Sequence, residues 1–183
     1  TLTEGVVRLD GAVDVQGQPS QAVLRCATLN AHYQTGLSNA LDEAIEARAR
    51  EAGVDISGES KVDEIPYDFV RKRLSVVVAH ANGERTLVTK GALDNVLSIC
   101  ARVQAGDGAQ PLDEARRGEI EERYSAWSEQ GFRVLGLATK AADERAAAYS
   151  ASDERELTFA GFLLFFDPPK SDAPQAIADL AGR

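Results

Sequence analysis

Cysteine and histidine are scarce in this 183-residue sequence, with only Cys26, Cys100, His32 and His80. Two cysteines are too few for a disulfide scaffold and lack metal-ligand spacing, so reduced, half-buried thiols in a cytosolic setting are expected. Two histidines argue equally against a histidine-based metal centre. Basic residues are in deficit: 20 Lys and Arg stand against 29 Asp and Glu, for a formal net charge of -9 and a pI near 4.8. A surface that neutralises a nucleic-acid backbone is normally basic, so no nucleic-acid partner is expected, and an anionic ligand must be met by a local patch. Long apolar runs are missing too. FAGFLLFF at 159–166 has strand length, far short of the roughly 20 apolar residues that cross a bilayer. The opening TLTEG has no basic stretch leading into an apolar one, so no signal peptide is expected and these residues should not themselves contact the membrane. Neither a GxxxxGK[ST] nor a GxGxxG phosphate loop is present. Ser75 and Ser98 have no histidine at a persuasive spacing, and Asp42-Glu43 and Glu121-Glu122 read as solvated helix surface. No catalytic and no metal-binding residue is assigned, and the chain reads as a binder.

What is present is a clear sequence of elements. A weakly alternating strand region opens the chain around Val6, Arg8, Val13 and Val15. Ser20 caps a helix that Gly36 closes, and a second helix runs from Asn39 to Ala52 with Gly53 as its stop. LSVVVA and RTLVTK flank Asn82-Gly83, a strong hairpin signal. Residues 92–104 predict a helix with Leu93, Val96, Leu97 and Cys100 inward, AGDGAQP a turn, and residues 113–130 another helix. FRVLGLAT is a strand, AADERAAAYSASDER an exposed loop or short mobile helix, and LTFAGFLLFF a strand apolar on both faces, hence central in its sheet. This order predicts an α+β fold, a largely antiparallel sheet flanked by helices. Asp167-Pro168-Pro169 cannot continue a ladder, and the helical SDAPQAIADLAGR beyond it stops without a cap, so the chain is expected to be cut from something larger.

The basic run Arg71-Lys72-Arg73 is the oddity in so acidic a chain. With Asn82 and Gly83 as a two-residue loop, Ser75 falls opposite Lys90 and Val77 opposite Val88. Alternation then puts Phe69, Arg71, Arg73 and Lys90 on one face, beside Gly91, with Leu74, Val76, Val78 and Leu87 on the other. Lys72 points away and is expected to matter least. A ring among cations suits a flat, polyanionic ligand such as a nucleotide, and Arg133 in an apolar strand is a further anion donor. An edge strand guarded by solvated charge is the plainer alternative.

The stretches DEIPYDFVRKRLSVVV, TGLSNALDEAI, TKGA and Asp167-Pro168-Pro169-Lys170, in that arrangement along the chain, resemble the nucleotide-binding domain of P-type cation-transporting ATPases, most of all the magnesium-transporting branch. Thr1-Leu2-Thr3 resembles the tail of the family's phosphorylation motif, whose aspartate would lie just outside. The resemblance implies that residues 1–4 end the phosphorylation-motif segment, 5–166 bind nucleotide, and 167–183 are a hinge (Asp167, Pro168, Pro169) and the truncated start of the phosphorylation domain. It implies Phe69 as the adenine-stacking ring, Lys90 with Gly91 as the motif lysine, Arg133 on the phosphate side, and Arg71 and Arg73 lining the same cleft. Ser38 stands where many members carry the glutamate that holds the adenine amino group; Asn39 or a backbone carbonyl is the alternative. The implied ligand is ATP with Mg2+, and the implied partners are the phosphorylation and actuator domains of one parent chain, in the cytoplasm beneath a plasma (inner) membrane. The implied activity is ATP-driven cation transport, with Mg2+ as the ion, through an aspartyl-phosphate outside these residues. The fragment alone should bind ATP, with affinity no better than tens of micromolar because one stack and a few exposed charges support only about 4 to 6 kcal/mol. A calcium-type pump domain, or a non-catalytic module whose basic patch meets an acidic protein segment, are the alternatives.

Overall fold

Side-chain caps begin three long helices, at Ser20, Asn39 and Asp113. The computed structural model describes residues 6–36 and 39–166. Strand β1 (Arg8–Val13) leads to α1 (Gln21–Tyr33), whose first turn is closed by Ser20 Oγ accepting the Val23 N–H at 3.2 Å. In α2 (Ala40–Ala52) the cap is Asn39, its Oδ1 accepting the Asp42 N–H at 2.9 Å. There follow β2 (Ser60–Ile65), β3 (Arg73–Ala79), β4 (Arg85–Ala92), a short α3 (Leu93–Leu97), β5 (Cys100–Ala105), β6 (Gly108–Pro111), α4 (Glu114–Glu129), β7 (Phe132–Ala142), a 3-10 turn at Ala151–Asp153, and β8 (Leu157–Phe166).

The strands form one eight-stranded sheet in the order β2-β3-β4-β7-β8-β5-β6, with β1 also paired to β8. Every pairing is antiparallel except β5 with β8. This is the α+β class the element order predicts. β8 is central because both its faces are apolar: Leu163 and Phe165 pack toward α1 and α2, while Phe159, Phe162 and Leu164 pack toward α3 and α4. Phe159, Phe162 and Phe165 are fully buried, each contributing about 1.5 to 3 kcal/mol relative to exposure. Cys26 and Cys100 are unpaired and half-buried, and burial pushes their thiols up to about 11 and about 12, which leaves them unreactive at neutral pH.

Three sequence expectations are corrected. AGDGAQP is not a turn throughout: Gly108–Pro111 forms strand β6, paired with β5. Residues 92–104 are not one helix: the helix ends at Leu97, and Cys100–Ala105 is a strand. The first residues of β8, Leu157–Phe159, lie beyond the reach of β1, which pairs with residues 162–166. β5 covers that open edge, a gain that local helix propensity cannot match.

The hairpin register is also shifted by one residue. His80 N–H donates to Glu84 O at 2.8 Å and Gly83 N–H to His80 O at 2.9 Å, so the loop has three residues and ends on Gly83 at φ 91. Ser75 therefore faces Thr89, Leu74 faces Lys90 and Arg73 faces Gly91. A one-residue slip reverses every side chain of one strand relative to the other. Lys90 joins the face of Leu74, Val76 and Val78, while Leu87 joins Val77 on the opposite side.

Candidate functional site

On the side of the sheet covered by α1 and α2, the N-terminus of α2, residues 66–72 and the ends of β3, β4 and β7 enclose a cleft of about 610 Å³. Its lining includes Asn39, Glu64, Tyr67, Lys72, Lys90 and Arg133, set against apolar Leu41, Leu74 and Leu135. Lys90 reaches it from the interior of β4. Its Nζ lies 3.0 Å from Asp42 Oδ1, with the two side chains only 6% and 5% exposed. Asp42 is further held through Oδ2, which accepts from Gln34 Nε2 at 3.0 Å and Asn39 Nδ2 at 3.1 Å. The residue read as helix surface is thus the buried counter-charge of the cleft's central lysine. It is the third residue after a helix cap, where the first turn of α2 folds back against β4.

Gly91 lines the cleft floor where the chain crosses itself. A Cβ there would lie 2.4 Å from Lys72 O and 2.7 Å from Arg73 Cα. Glu64 braces the far wall: Lys61 Nζ donates to its carboxylate at 2.6 Å, and the Thr35 N–H and hydroxyl add bonds at 3.1 and 2.7 Å. Burial raises the Glu64 pKa, but the Lys61 and Thr35 bonds outweigh it and hold the group below the ordinary 4.5. A carboxylate depressed on folding contributes stability above its unfolded pKa and loses it as pH falls through the folded value. The difference in urea midpoint between the parent and Glu64→Gln should therefore be constant at neutral pH and close as pH drops below 4.5. A difference unchanged down the acid limb would show that these bonds do not depend on the charge.

The expected face of Phe69, Arg71, Arg73 and Lys90 is not assembled. Lys90, Gly91 and Arg133 do line one cleft. Phe69 lies in the loop before β3, 86% exposed, its ring perpendicular to that of Tyr67 with centroids 5.7 Å apart; the ring on the cleft wall is Tyr67. Arg71 and Arg73 both bond Glu154 on the opposite side of the sheet. Lys72, the member expected to matter least, lines the cleft instead, its backbone in the left-handed region at φ 53. Ser38, and the hinge residues Asp167, Pro168 and Pro169, lie outside the described residues. Glu154 had no signal in its own neighbourhood, an alanine-rich charged loop.

The cleft is suited to a flat, anionic ligand: three cationic residues line it with one aromatic ring, and among its described residues Glu64 is the one carboxylate. Its volume sits within the roughly 300 to 1,000 Å³ usual for small-molecule sites. Among the described residues no three His, Cys, Asp or Glu side chains gather as a metal site, and no helix is long and apolar enough to cross a membrane.

The chain is 41% identical over 182 residues to a magnesium-transporting ATPase, P-type 1, of Salmonella typhimurium, covering 98% of this chain and 20% of that protein. It is 39% identical to the protein of the same name from Escherichia coli, with the same coverage. A calcium-transporting ATPase 2, endoplasmic reticulum-type, of Arabidopsis thaliana is 32% identical over 136 residues, 65% of this chain and 13% of that protein. The chain thus spans about a fifth of the length of the magnesium-transporting relatives. The profile of one family, P-type ATPase, cytoplasmic domain N, matches residues 15–172, and the chain belongs to that family.

Proposed function

We propose that this chain binds ATP in the cleft beside Lys90 and is the nucleotide-holding domain of a membrane-embedded cation pump. The observation that carries this reading is the convergence of Lys72, Lys90 and Arg133 with the Tyr67 ring on one cleft of nucleotide size. Tyr67, rather than Phe69, offers its face to the adenine, and the three cations meet the phosphates, with Arg133 as a planar fork and the lysines as point charges. Asn39 lines the cleft at the head of α2 and is the described candidate for reading the adenine edge beside Ser38. Bound Mg2+ would accompany the phosphates and offset their charge.

The γ-phosphoryl group then passes to an aspartate carboxylate of the phosphorylation domain, forming an acyl phosphate as its bond to the bridging oxygen breaks and ADP leaves, and the actuator domain completes the cycle within the same parent chain. Residues 5–166 would form the ATP-binding unit between two segments that join it to the phosphorylation domain, 167–169 being the hinge. Greater similarity to magnesium-transporting than to calcium-transporting relatives favours Mg2+ as the transported ion, with the parent in a plasma (inner) membrane. The rival reading, a basic patch for an acidic protein segment, is weakened because Arg71 and Arg73 already answer to Asp68 and Glu154.

Titrating ATP into the chain should shift the amide signals of Lys72, Lys90, Gly91 and Arg133 together, with a Kd between tens of micromolar and millimolar. Tyr67→Ala should weaken binding by roughly 5- to 150-fold, since stacking of a base on a ring is worth about 1 to 3 kcal/mol, and Phe69→Ala should weaken it less. Absence of shifts in the cleft would overturn the ATP reading; equal losses at both rings would overturn the choice of Tyr67.

A further inference from the structure

The loop that brings Tyr67 and Lys72 to the cleft is not held by apolar burial. Its two most hydrophobic residues, Phe69 and Val70, are 86% and 87% exposed. It also carries a lysine at φ 53, a conformation that persists in a non-glycine residue only where its surroundings over-determine it. What determines it is polar. Asp68 Oδ1 accepts the Val70 N–H at 2.9 Å and the Arg71 N–H at 2.6 Å, and Lys72 N–H donates to Asp68 O at 2.9 Å. The Arg71 guanidinium then closes the loop, bonding Pro66 O at 3.1 Å, Arg73 O at 3.3 Å and the Asp68 carboxylate.

This closed loop is anchored at one point. The Glu154 side chain, with 0% exposure, accepts from Arg71 Nε and Nη2 at 2.9 Å each, from Arg73 Nε at 2.9 Å and from Ser75 Oγ at 2.5 Å. Two guanidinium groups are balanced by the carboxylates of Asp68 and Glu154, so the network is neutral and fixed in direction by forked bonds. Glu154 follows the 3-10 turn, on the opposite side of the sheet from the cleft.

The geometry points to Glu154 as a positioning residue for the ligand cleft: from behind the sheet, it fixes the loop that presents Tyr67 and Lys72 to the nucleotide. This inference rests on the ATP reading for its ligand, but not for the ordering of the loop. A binding group set by a supporting shell loses its geometry when that shell is removed.

The test is made on the 183-residue chain with Glu154→Gln, which keeps the volume and removes the charge. ATP titration by NMR should show Kd rising about tenfold, the lower end of what outer-shell partners contribute elsewhere. Amide hydrogen exchange at Val70, Arg71 and Lys72 should accelerate about tenfold, while Val76 and Val88 in the strands behind stay unchanged. Glu154→Asp, which retains the charge, should recover part of both effects. Should Glu154→Gln fail to fold, Arg71→Lys decides, since it keeps the charge and removes the fork; it should move both readouts the same way. Parental ATP affinity, or a lower melting temperature with loop exchange unaltered, would overturn the assignment. A parent that binds no ATP, paired with a variant whose loop exchange accelerates, would sink the nucleotide reading and leave the anchoring of the loop standing.

Discussion

Gly91→Ala should destabilise the fold by about 3 kcal/mol or more, at the upper end of what overpacking of a rigid site costs. The added methyl would sit 2.4 Å from Lys72 O, 2.7 Å from Arg73 Cα and 2.7 Å from Arg73 Cβ. Two of these are main-chain atoms, so no rotamer change relieves the clash. The Lys72–Arg73 backbone must retreat, and the bond from Ala92 N–H to Lys72 O at 3.1 Å, which closes this end of the hairpin, lengthens or breaks. Since Gly91 also pairs with Gly136 of β7, the disturbance reaches the sheet beneath Arg133. Urea unfolding should show a lower midpoint at unchanged slope, and any ATP affinity should fall with it. A loss under about 1 kcal/mol would mean that the 66–72 loop yields easily and that the crossing is not a constraint.

Lys90→Met should be the second severe change, because it strands Asp42 as a buried carboxylate without its cation; breaking one side of such a pair costs about 3 to 5 kcal/mol. Asp42→Asn should be milder. It keeps the bonds to Gln34 and Asn39 but leaves the buried ammonium unpaired. The double variant Lys90→Met/Asp42→Asn removes both charges and should regain most of the stability lost by Lys90→Met, the non-additivity expected of two groups in contact. It should not regain ATP binding. Stability measured by urea and affinity measured by titration therefore separate the two roles of Lys90. Stability of the single Lys90 variant within about 0.5 kcal/mol of the parent would show that water reaches the pair and that it contributes nothing to folding.

Much of the fold was legible because its signals are local. The cap at Ser20, the start of the second helix at Asn39 and the central place of β8 each depend on a few neighbouring residues, and each is found where the sequence implies. The helix expected over 92–104 failed where a local signal competed with a distant one, the open edge at the start of β8. The site failed in part for a sharper reason. Asn82-Gly83 supports a two-residue or a three-residue loop equally well, and both faces of β3 and β4 are apolar, so the hydrophobic pattern gives no vote on register. One residue of slip exchanged Lys72 for Arg71 and Arg73 as the cleft's basic residues.

From the sequence alone follow the class of fold and the order of most elements, and its resemblance to a family singled out Lys90, Gly91 and Arg133, which line one cleft. The tertiary structure alone decided which ring lines the cleft, that Asp42 is the partner of Lys90, and that Glu154 holds the loop. The pairs concerned are 48 residues apart for Asp42 and Lys90 and 83 for Arg71 and Glu154. Charge pairing acts over a few ångströms of space whatever the separation along the chain. Only a folded sheet of settled register brings such groups within that distance.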